Sequence, residues 1–553
     1  MKLFDLLLAA LLIPATAQAA TALESQTHMA GATPSNRLQV AEGFQVDLLY
    51  SPNKASEGSW VAMCVDGKGR LIVGNQYNEG LFRVTLPPID RLDVVRVEKI
   101  PVDLSGTQGL LWAFDGLYAL VSQNARHKSG LYRITDTNAD DELDHVELLH
   151  PLDGGGDHGW HALLLAPDQK SIVVVAGNHT QAPFLSKSRV PLHWAEDQLL
   201  PRMPDARGHA KGILSPGGCL YRVSPDGKDW ELLASGFRNT YDAAFSPNGD
   251  LFTFDSDMEW DMNTPWYRPT RVCLVASGAE FGWRNGSGKW PAHYADSLPG
   301  ILDIGPGSPT GVEFGTWTRF PKKYRQALFL GDWSYGKIYA VHLTPAGGAY
   351  RGTPEVVISG VPLPTTDIVA NPIDGALYFI TGGWNIQTGL YRVTHPGGEA
   401  TVPTEVAADQ GPSLRNLRLE LEQFHGRTMP HAVDKIWPQL GHADRFIRFA
   451  ARVALEWQDP LLWRDRAFHE TEADKGIPAL MALARAEPQV KSTDTKARVI
   501  EALGRFQWDT LDDRLRLDLL RTVALVFIRM GSPSELERQQ WLSVLEPAFP
   551  AKS

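Results

Sequence analysis

The stretch "GGGDHGWHALLLAPDQKSIVVVAGNH", residues 154–179, holds His158, His161 and His179. Imidazole titrates near neutrality and ligates metals in its neutral form, so histidines gathered at one place suit proton transfer or metal binding. Here the gathering is local. WHALLL and IVVVA flank the turn APDQKS, which is the pattern of a β-hairpin. A hairpin returns its two open ends to one edge, so His158 and His161 at the first end meet Asn178 and His179 at the second. The insertion "PDARGHAKG" that follows adds His209.

Other polar residues belong beside them if the surrounding strands repeat. Gln108, the adjacent Arg238 and Asn239, Trp333 and Asp367 all fall where a strand begins or a loop leaves one. Asp255, Asp257 and Glu259 form a short acidic loop whose oxygens suit a hard cation such as calcium. A second calcium candidate is "DTNADDELDHVE", residues 136–147. Asp136, Asn138, Asp140, Asp144 and Glu147 approximate a calcium-binding loop, with Asp141 at the sixth place, where the sharp turn favours glycine.

The elements that would position these residues repeat. From about 40 to 395, short runs rich in Val, Leu, Phe and Tyr alternate with Gly, Pro, Asp and Asn turns. The turns VDGKGR, APDQKS, SPNGD and NPIDGA recur, and so do third strands of the GLYRV type: GLFRV, GLYRI, CLYRV, KIYAV, GLYRV. Repetition over tens of residues signals a β-propeller of four-stranded blades, about six of them. "GFQVDLLY" near the start lacks a partner and is expected to close the ring as the outer strand of the last blade. The Pro-Asp/Asn-Gly turns then lie on the bottom, and the histidines, Arg238 and the acidic loop 255–259 on the top. The loop 136–147 falls on the bottom, where calcium would be structural.

After a linker at 396–411 the pattern changes. LRNLRLELEQF, RFIRFAARVALEW and DRLRLDLLRTVALVFIRM have helical apolar spacing, and paired helices over 412–553 suggest a HEAT-like α-solenoid. The expected class is mainly β: a six-bladed propeller followed by a helical domain. Residues 1–19, MKLFDLLLAALLIPATAQA, read as a signal peptide, so the protein is expected to be exported, periplasmic or extracellular. No later run is long enough to span a membrane, so no transmembrane segment is expected in the mature chain. A net charge of −11 argues against nucleic acid as a partner. Cys64, Cys219 and Cys273 sit within strands and read as buried thiols, the alternative being a disulfide. With no CxxCH present, no covalent haem is expected in this chain.

"DHGWHALLLAPDQKSIVVVAGN" and "ASGFRNTYDAAFSPNGDLFTFDSD" resemble blades of the soluble quinoprotein glucose/sorbosone dehydrogenases. "SPTGVEFGTWTRFPKKYRQALFLGDWSYGKIYAVHL" and "TDIVANPIDGALYFITGG" resemble their last two blades. "DMEWDMNTPWYRPTRV", "GWRNGSGKWP", "GPGSPTGVEFGT" and "GHADRFIRFAARVALEWQDP" resemble an exported bacterial family described as membrane-bound dehydrogenase or haem-binding proteins, which joins this propeller to HEAT-like helices. The resemblance implies a sugar or polyol substrate, with a cytochrome or another electron acceptor as partner. It makes His158 the general base and passes hydride to pyrroloquinoline quinone (PQQ). Arg238 and Asn239 would hold the quinone oxygens, with Gln108, His161, Asn178, His179, Trp333 and Asp367 lining the pocket and calcium bound by Asp255, Asp257 and Glu259. The chain departs from that family in one respect: "PLPTTDIV" has Pro364 and Thr366 where an Arg pair is expected, and the Lys of the preceding blade is missing unless Lys337 substitutes. Arg126, Arg268 and Arg271 are the candidates to compensate. Two other readings stay open: a glycan-binding or scaffold propeller without redox chemistry, and a calcium-dependent lactonase or hydrolase.

Overall fold

The computed structural model describes residues 31–91, 94–122, 126–199, 201–202, 208–258, 267–286, 288–397, 413–486 and 493–549. Its strands make a six-bladed propeller. The first blade is Trp60–Val65, Leu71–Asn75, Leu81–Thr85 and Arg96–Lys99; the second is Thr107–Ala113, Gly116–Val121, Gly130–Thr135 and His145–Pro151. The third is built on Trp160–Leu165, Ile172–Ala176, Gly218–Val223 and Trp230–Phe237; the fourth is Thr240–Phe245, Leu251–Asp255, Thr270–Leu274 and Leu302–Gly305. Pro309–Phe314, Leu328–Asp332, Lys337–Ala346 and Ala349–Ser359 form the fifth. The sixth, Thr365–Ala370, Leu377–Thr381 and Gly389–Thr394, takes its outer strand from Gln45–Tyr50, so the early segment closes the ring as expected.

The first strands of successive blades pack side by side around the whole circle, the sixth against the first. The second strands read as continuous apolar runs because neighbouring blades cover both their faces: every residue of Ile172–Ala176 and Leu377–Thr381 is buried. Each such Val, Ile or Phe contributes roughly 1.5–3 kcal/mol by leaving water.

One irregularity recurs in all six blades. The first strand slips register against the second just after its opening residue, between Trp60 and Ala62, Thr107 and Gly109, Trp160 and Ala162, Thr240 and Ala243, Pro309 and Val312, and Thr365 and Asp367. A bulge re-aims the side chain it displaces. The displaced residues include Gln108, His161, Tyr241 and Asp242, so the ring of bulges supplies polar groups to the mouth of the channel.

Helices follow from Leu414, among them Leu414–Glu422, Arg445–Glu456, Ala473–Ala486, Thr493–Gly504, Asp513–Arg529 and Glu535–Leu545. Side-chain caps begin several: Ser413 accepts from Asn416 N, Asp444 from Phe446 N and Ile447 N, and Ser534 with Glu537 forms a capping box. Trp437, Trp463, Leu480, Leu503 and Leu525 fill their core. Charged pairs dock them on the propeller: Arg418 and Arg415 reach Asp250 at 2.7 and 2.6 Å, and Arg529 reaches Asp197 at 2.6 Å. Phe449 and Val453 join an apolar cluster of the fourth blade with Val275 and Leu298. The three thiols are buried and free, as the strand positions of the cysteines suggest. Among the described residues no helix is long and apolar enough to cross a membrane. Residues 1–19, and all but the first two residues of the linker at 396–411, lie outside the described residues.

Candidate functional site at the propeller mouth

The hairpin of the third blade gathers the histidines as its spacing predicts. His179 N donates to His158 O at 3.0 Å and Gly177 N to Gly159 O at 2.8 Å, tying the two open ends together. Gly177 is required there: a Cβ would strike Asn239 Oδ1 and the carbonyl of His158. The insertion lays His209 over the pair. Ring centroids are 4.6 Å apart for His158–His179, 4.9 Å for His158–His209 and 5.3 Å for His179–His209. Each ring presents one nitrogen, and the three nitrogens lie within 4.8 Å of one another. Among the described residues no other group of three His, Cys, Asp or Glu side chains meets so closely.

His158 is buried, and its Nδ1 lies 2.6 Å from Oδ1 of Asn178. An amide oxygen only accepts, so Nδ1 carries the proton and Nε2 keeps its lone pair. Burial, then the positive charge of Arg238, holds His158 well below the ordinary imidazole range and therefore neutral. His161 is a different kind of histidine. Its Nε2 meets Asn239 Oδ1 at 2.8 Å, its ring stacks on Tyr241 at 4.6 Å, and burial pushes it down to about 4. Asn239 is thereby spent on positioning, since its Nδ2 also donates to Asp157 O at 3.0 Å. Arg238 is buried beside the histidines and its Nη1 donates to Ser256 Oγ at 3.1 Å. Gln108 Oε1 lies 3.5 Å from the Tyr241 hydroxyl. Trp333 is half-buried with its indole N–H on Gly382 O at 2.8 Å.

The acids take roles other than the expected ones. Asp255 accepts from Arg238 N and Asn239 N through Oδ1, while Oδ2 meets Arg271 at 3.1 Å and Lys289 at 3.2 Å. It is an anchor for the Arg-Asn turn with its charge already matched, not an open calcium ligand. Asp332 anchors backbone in the next blade through Oδ1, which accepts from Ser308 N, Ser334 N and Tyr335 N, and burial raises it to about 6. Asp257 accepts from the Tyr267 hydroxyl at 2.8 Å, and Glu259 lies outside the described residues. The loop 136–147 closes on itself. Asp136 accepts from Asn138 N, Ala139 N and Asp141 N, Asp140 from Glu142 N, and Asp144 from Thr137 N. Asn138 Oδ1 accepts from Asp140 N, and Glu147 is exposed on the following strand. Asp141 supplies the positive φ, 76°, that glycine would have given, and its carboxylate pairs with Arg70 at 2.6 Å. These acids point at backbone N–H groups and do not converge.

The sequence reading named Asp367 for the pocket and missed its companions Asp242 and Glu313. The three acids come from the first strands of three successive blades. Asp242 accepts from Val312 N at 2.7 Å and Asp367 from Met63 N at 2.6 Å, so each bridges to the next blade. Burial raises Asp242 to about 7 and Glu313 to about 8, and burial plus the charge of Asp242 raises Asp367 well above the carboxylate range. The signal was there: a lone acid in each of the otherwise apolar inner strands TYDAAF, PTGVEF and TTDIVA.

No family model and no curated protein matches the sequence. By structure the chain is similar to an oxidoreductase described as a glucose dehydrogenase from Thermus thermophilus, at 17% identity and a TM-score of 0.46 over 63% of this chain and 99% of that one. It is similar to the PQQ-bound aldose sugar dehydrogenase of Streptomyces coelicolor, at 14% identity and a TM-score of 0.42, over 64% and 100% of the two chains. The PQQ domain of pyranose dehydrogenase from Coprinopsis cinerea gives 11% identity and a TM-score of 0.45, over 64% and 97%. At these identities and TM-scores the likeness assigns no activity to this chain.

Proposed function

We propose that the propeller mouth is the active site of an exported enzyme of the sugar- or polyol-oxidising type, in which the imidazole group activates a substrate hydroxyl. One observation carries this: His158 is fixed by Asn178 at 2.6 Å with its Nε2 lone pair directed away from that bond. Nε2 is placed to take the hydroxyl proton, and Arg238, the buried cation beside it, stabilises the oxygen as negative charge develops. Asn239 acts through His161 and is a positioning residue. The blade motifs around Asp157-His158 and Arg238-Asn239 resemble those of sugar dehydrogenases, which supports the substrate class.

Oxidation of the carbinol also needs a hydride acceptor. PQQ is the acceptor the resemblance implies, and most of the cations its carboxylates would need are already matched, Arg268 with its buried, unbonded Nε being the exception. The three carboxylates of PQQ need cations, and buried charges left unpaired cost several kcal/mol each. Among the described residues Arg238 faces the histidines, Arg271 and Lys289 are matched by Asp255, and Arg126 pairs with Asp103 at 2.6 Å. Pro364 and Thr366 are buried, and the Thr366 hydroxyl lies 3.3 Å from both Trp60 O and Ile380 O.

The test is reduction of an artificial electron acceptor by purified protein over a panel of sugars and polyols, with and without PQQ and calcium. Wild type should turn over at least one of them, and His158→Ala should lose about 10²–10⁴-fold. Turnover of sugar lactones without any electron acceptor would replace oxidation by hydrolysis. Glycan binding that survives His158→Ala, with no turnover, would leave a binding module. N-terminal sequencing of the protein recovered from the periplasm or medium tests export, with cleavage after Ala19 expected.

A further inference from the structure

We propose that His158, His179 and His209 form a binding site for a divalent transition-metal ion that prefers nitrogen, as zinc does. It deepens the reading above and rests on it only for the metal's role, which is to activate the hydroxyl that the imidazole group faces.

The geometry is that of a three-ligand site. Three ring nitrogens converge within 4.8 Å. Around a tetrahedral ion with metal–nitrogen bonds of about 2.0–2.1 Å they would stand roughly 3.3 Å apart, so small ring rotations close the set. Three protein ligands leave a fourth position for water or a substrate oxygen, the arrangement of a catalytic rather than a structural ion. His158 is buried, while His179 and His209 are half-buried and open the site toward the mouth. All three come from one blade: two from the rigid hairpin and one from the segment joining Ile172–Ala176 to Gly218–Val223. The metal thus gives that long insertion a purpose.

The surroundings agree. A ligating imidazole normally donates its other N–H to an oxygen that fixes its tautomer, and Asn178 Oδ1 does this for His158. Imidazole suits zinc, copper, iron and nickel, whereas calcium takes oxygen. A set of nitrogens selects an ion of another class than the calcium expected at this mouth, where Asp255 is already matched by Arg271 and Lys289. With an ion on His158, coordination lowers the pKa of the bound hydroxyl or water and takes over the work of direct proton uptake.

The experiment uses the full, tag-free chain stripped of metal by a chelator. Zinc is titrated by calorimetry and cobalt(II) by visible absorption. Uptake of a single ion per chain, with the intense bands of tetrahedral cobalt(II), is expected. His179→Ala and His209→Ala should each weaken binding at least 100-fold, and His469→Ala, a remote exposed histidine, should leave it unchanged. His209→Gln, with a melting curve matching wild type, guards against loss by misfolding. Absence of uptake by wild type, or uptake unchanged in the double variant at His179 and His209, overturns the proposal. Turnover that needs His158 without metal uptake rejects the metal and keeps the proton-acceptor reading. Uptake without turnover supports the metal and rejects the enzyme.

Discussion

Asp255 and Lys289 meet at 3.2 Å inside the fourth blade, their side chains 0% and 4% exposed, with Arg271 completing the group at 3.1 Å. One carboxylate therefore holds two buried cations and, through its other oxygen, the backbone of Arg238 and Asn239. Removing a partner from such a group strands charge in a low-dielectric setting, at a cost of about 3–5 kcal/mol. Asp255→Ala should lose that much in urea unfolding and misplace the Arg238-Asn239 turn. Asp255→Asn should lose less, because its amide oxygen still accepts from both N–H groups. A change below about 1 kcal/mol for Asp255→Ala would reject the anchor.

The contact between His158 and Asn178 separates orientation from chemistry. Asn178→Ala removes the acceptor that fixes the Nδ1 tautomer but leaves the imidazole in place. A lost hydrogen bond to a metal ligand typically costs 10–100-fold in metal affinity or activity. Both cobalt(II) affinity and turnover of Asn178→Ala should fall by that factor, with the melting temperature near wild type. Unchanged values in both would show that Asn178 only fills space.

The acids of the inner strands set a pH dependence. Glu313 and Asp242 keep their protons to about 8 and about 7 when folded, whereas in the unfolded chain carboxyls release them near pH 4. The unfolded state thus binds fewer protons over that window, and stability falls as pH rises from about 4 through 7 and 8. Glu313→Gln removes one of these titrations. Between pH 5 and pH 8 the urea midpoint of wild type should drop, and that of the variant should drop less. Equal drops would place the titration elsewhere.

What the sequence made legible follows from where the signal lies. The blade repeat, the closing strand at Gln45–Tyr50 and the meeting of His158, Asn178 and His179 are consequences of hairpin periodicity, which a single sequence displays. The roles of the acids are not. Asp255 looks like a free ligand until Arg271 and Lys289, far along the chain, fold against it. Asp141 looks like a defect in a calcium loop until its positive φ and its pairing with Arg70 are seen. Asp242, Glu313 and Asp367 gain their meaning only when three blades come together. Long-range charge matching, unlike strand periodicity, leaves no local pattern.

Docking of the helices depends on Asp296. Arg521 binds it through two nitrogens, at 2.8 and 2.7 Å, and Arg485 adds a contact at 3.2 Å. Arg521 also lies over the rings of Trp290 and Tyr294, at 4.6 and 4.1 Å, so a propeller loop and two helices meet at one buried carboxylate. The guanidinium groups hold Asp296 below its ordinary range despite burial. A carboxylate with a depressed native pKa contributes stability that is present above its unfolded value, near 4, and is lost as pH falls toward its native value. The contribution is full at neutral pH and disappears in acid. Asp296→Ala should lower stability at pH 7 by about 3–5 kcal/mol, because buried Arg521 loses its carboxylate, whereas Arg485 keeps Glu456 at 3.0 Å. Acidification to pH 3 should then cost the variant less than wild type. Differential scanning calorimetry at both pH values reads this, and a helical domain that melts earlier than the propeller in Asp296→Ala is the expected trace. A single unchanged transition would mean that the other charged pairs, at Asp250 and Asp197, hold the two parts together without it.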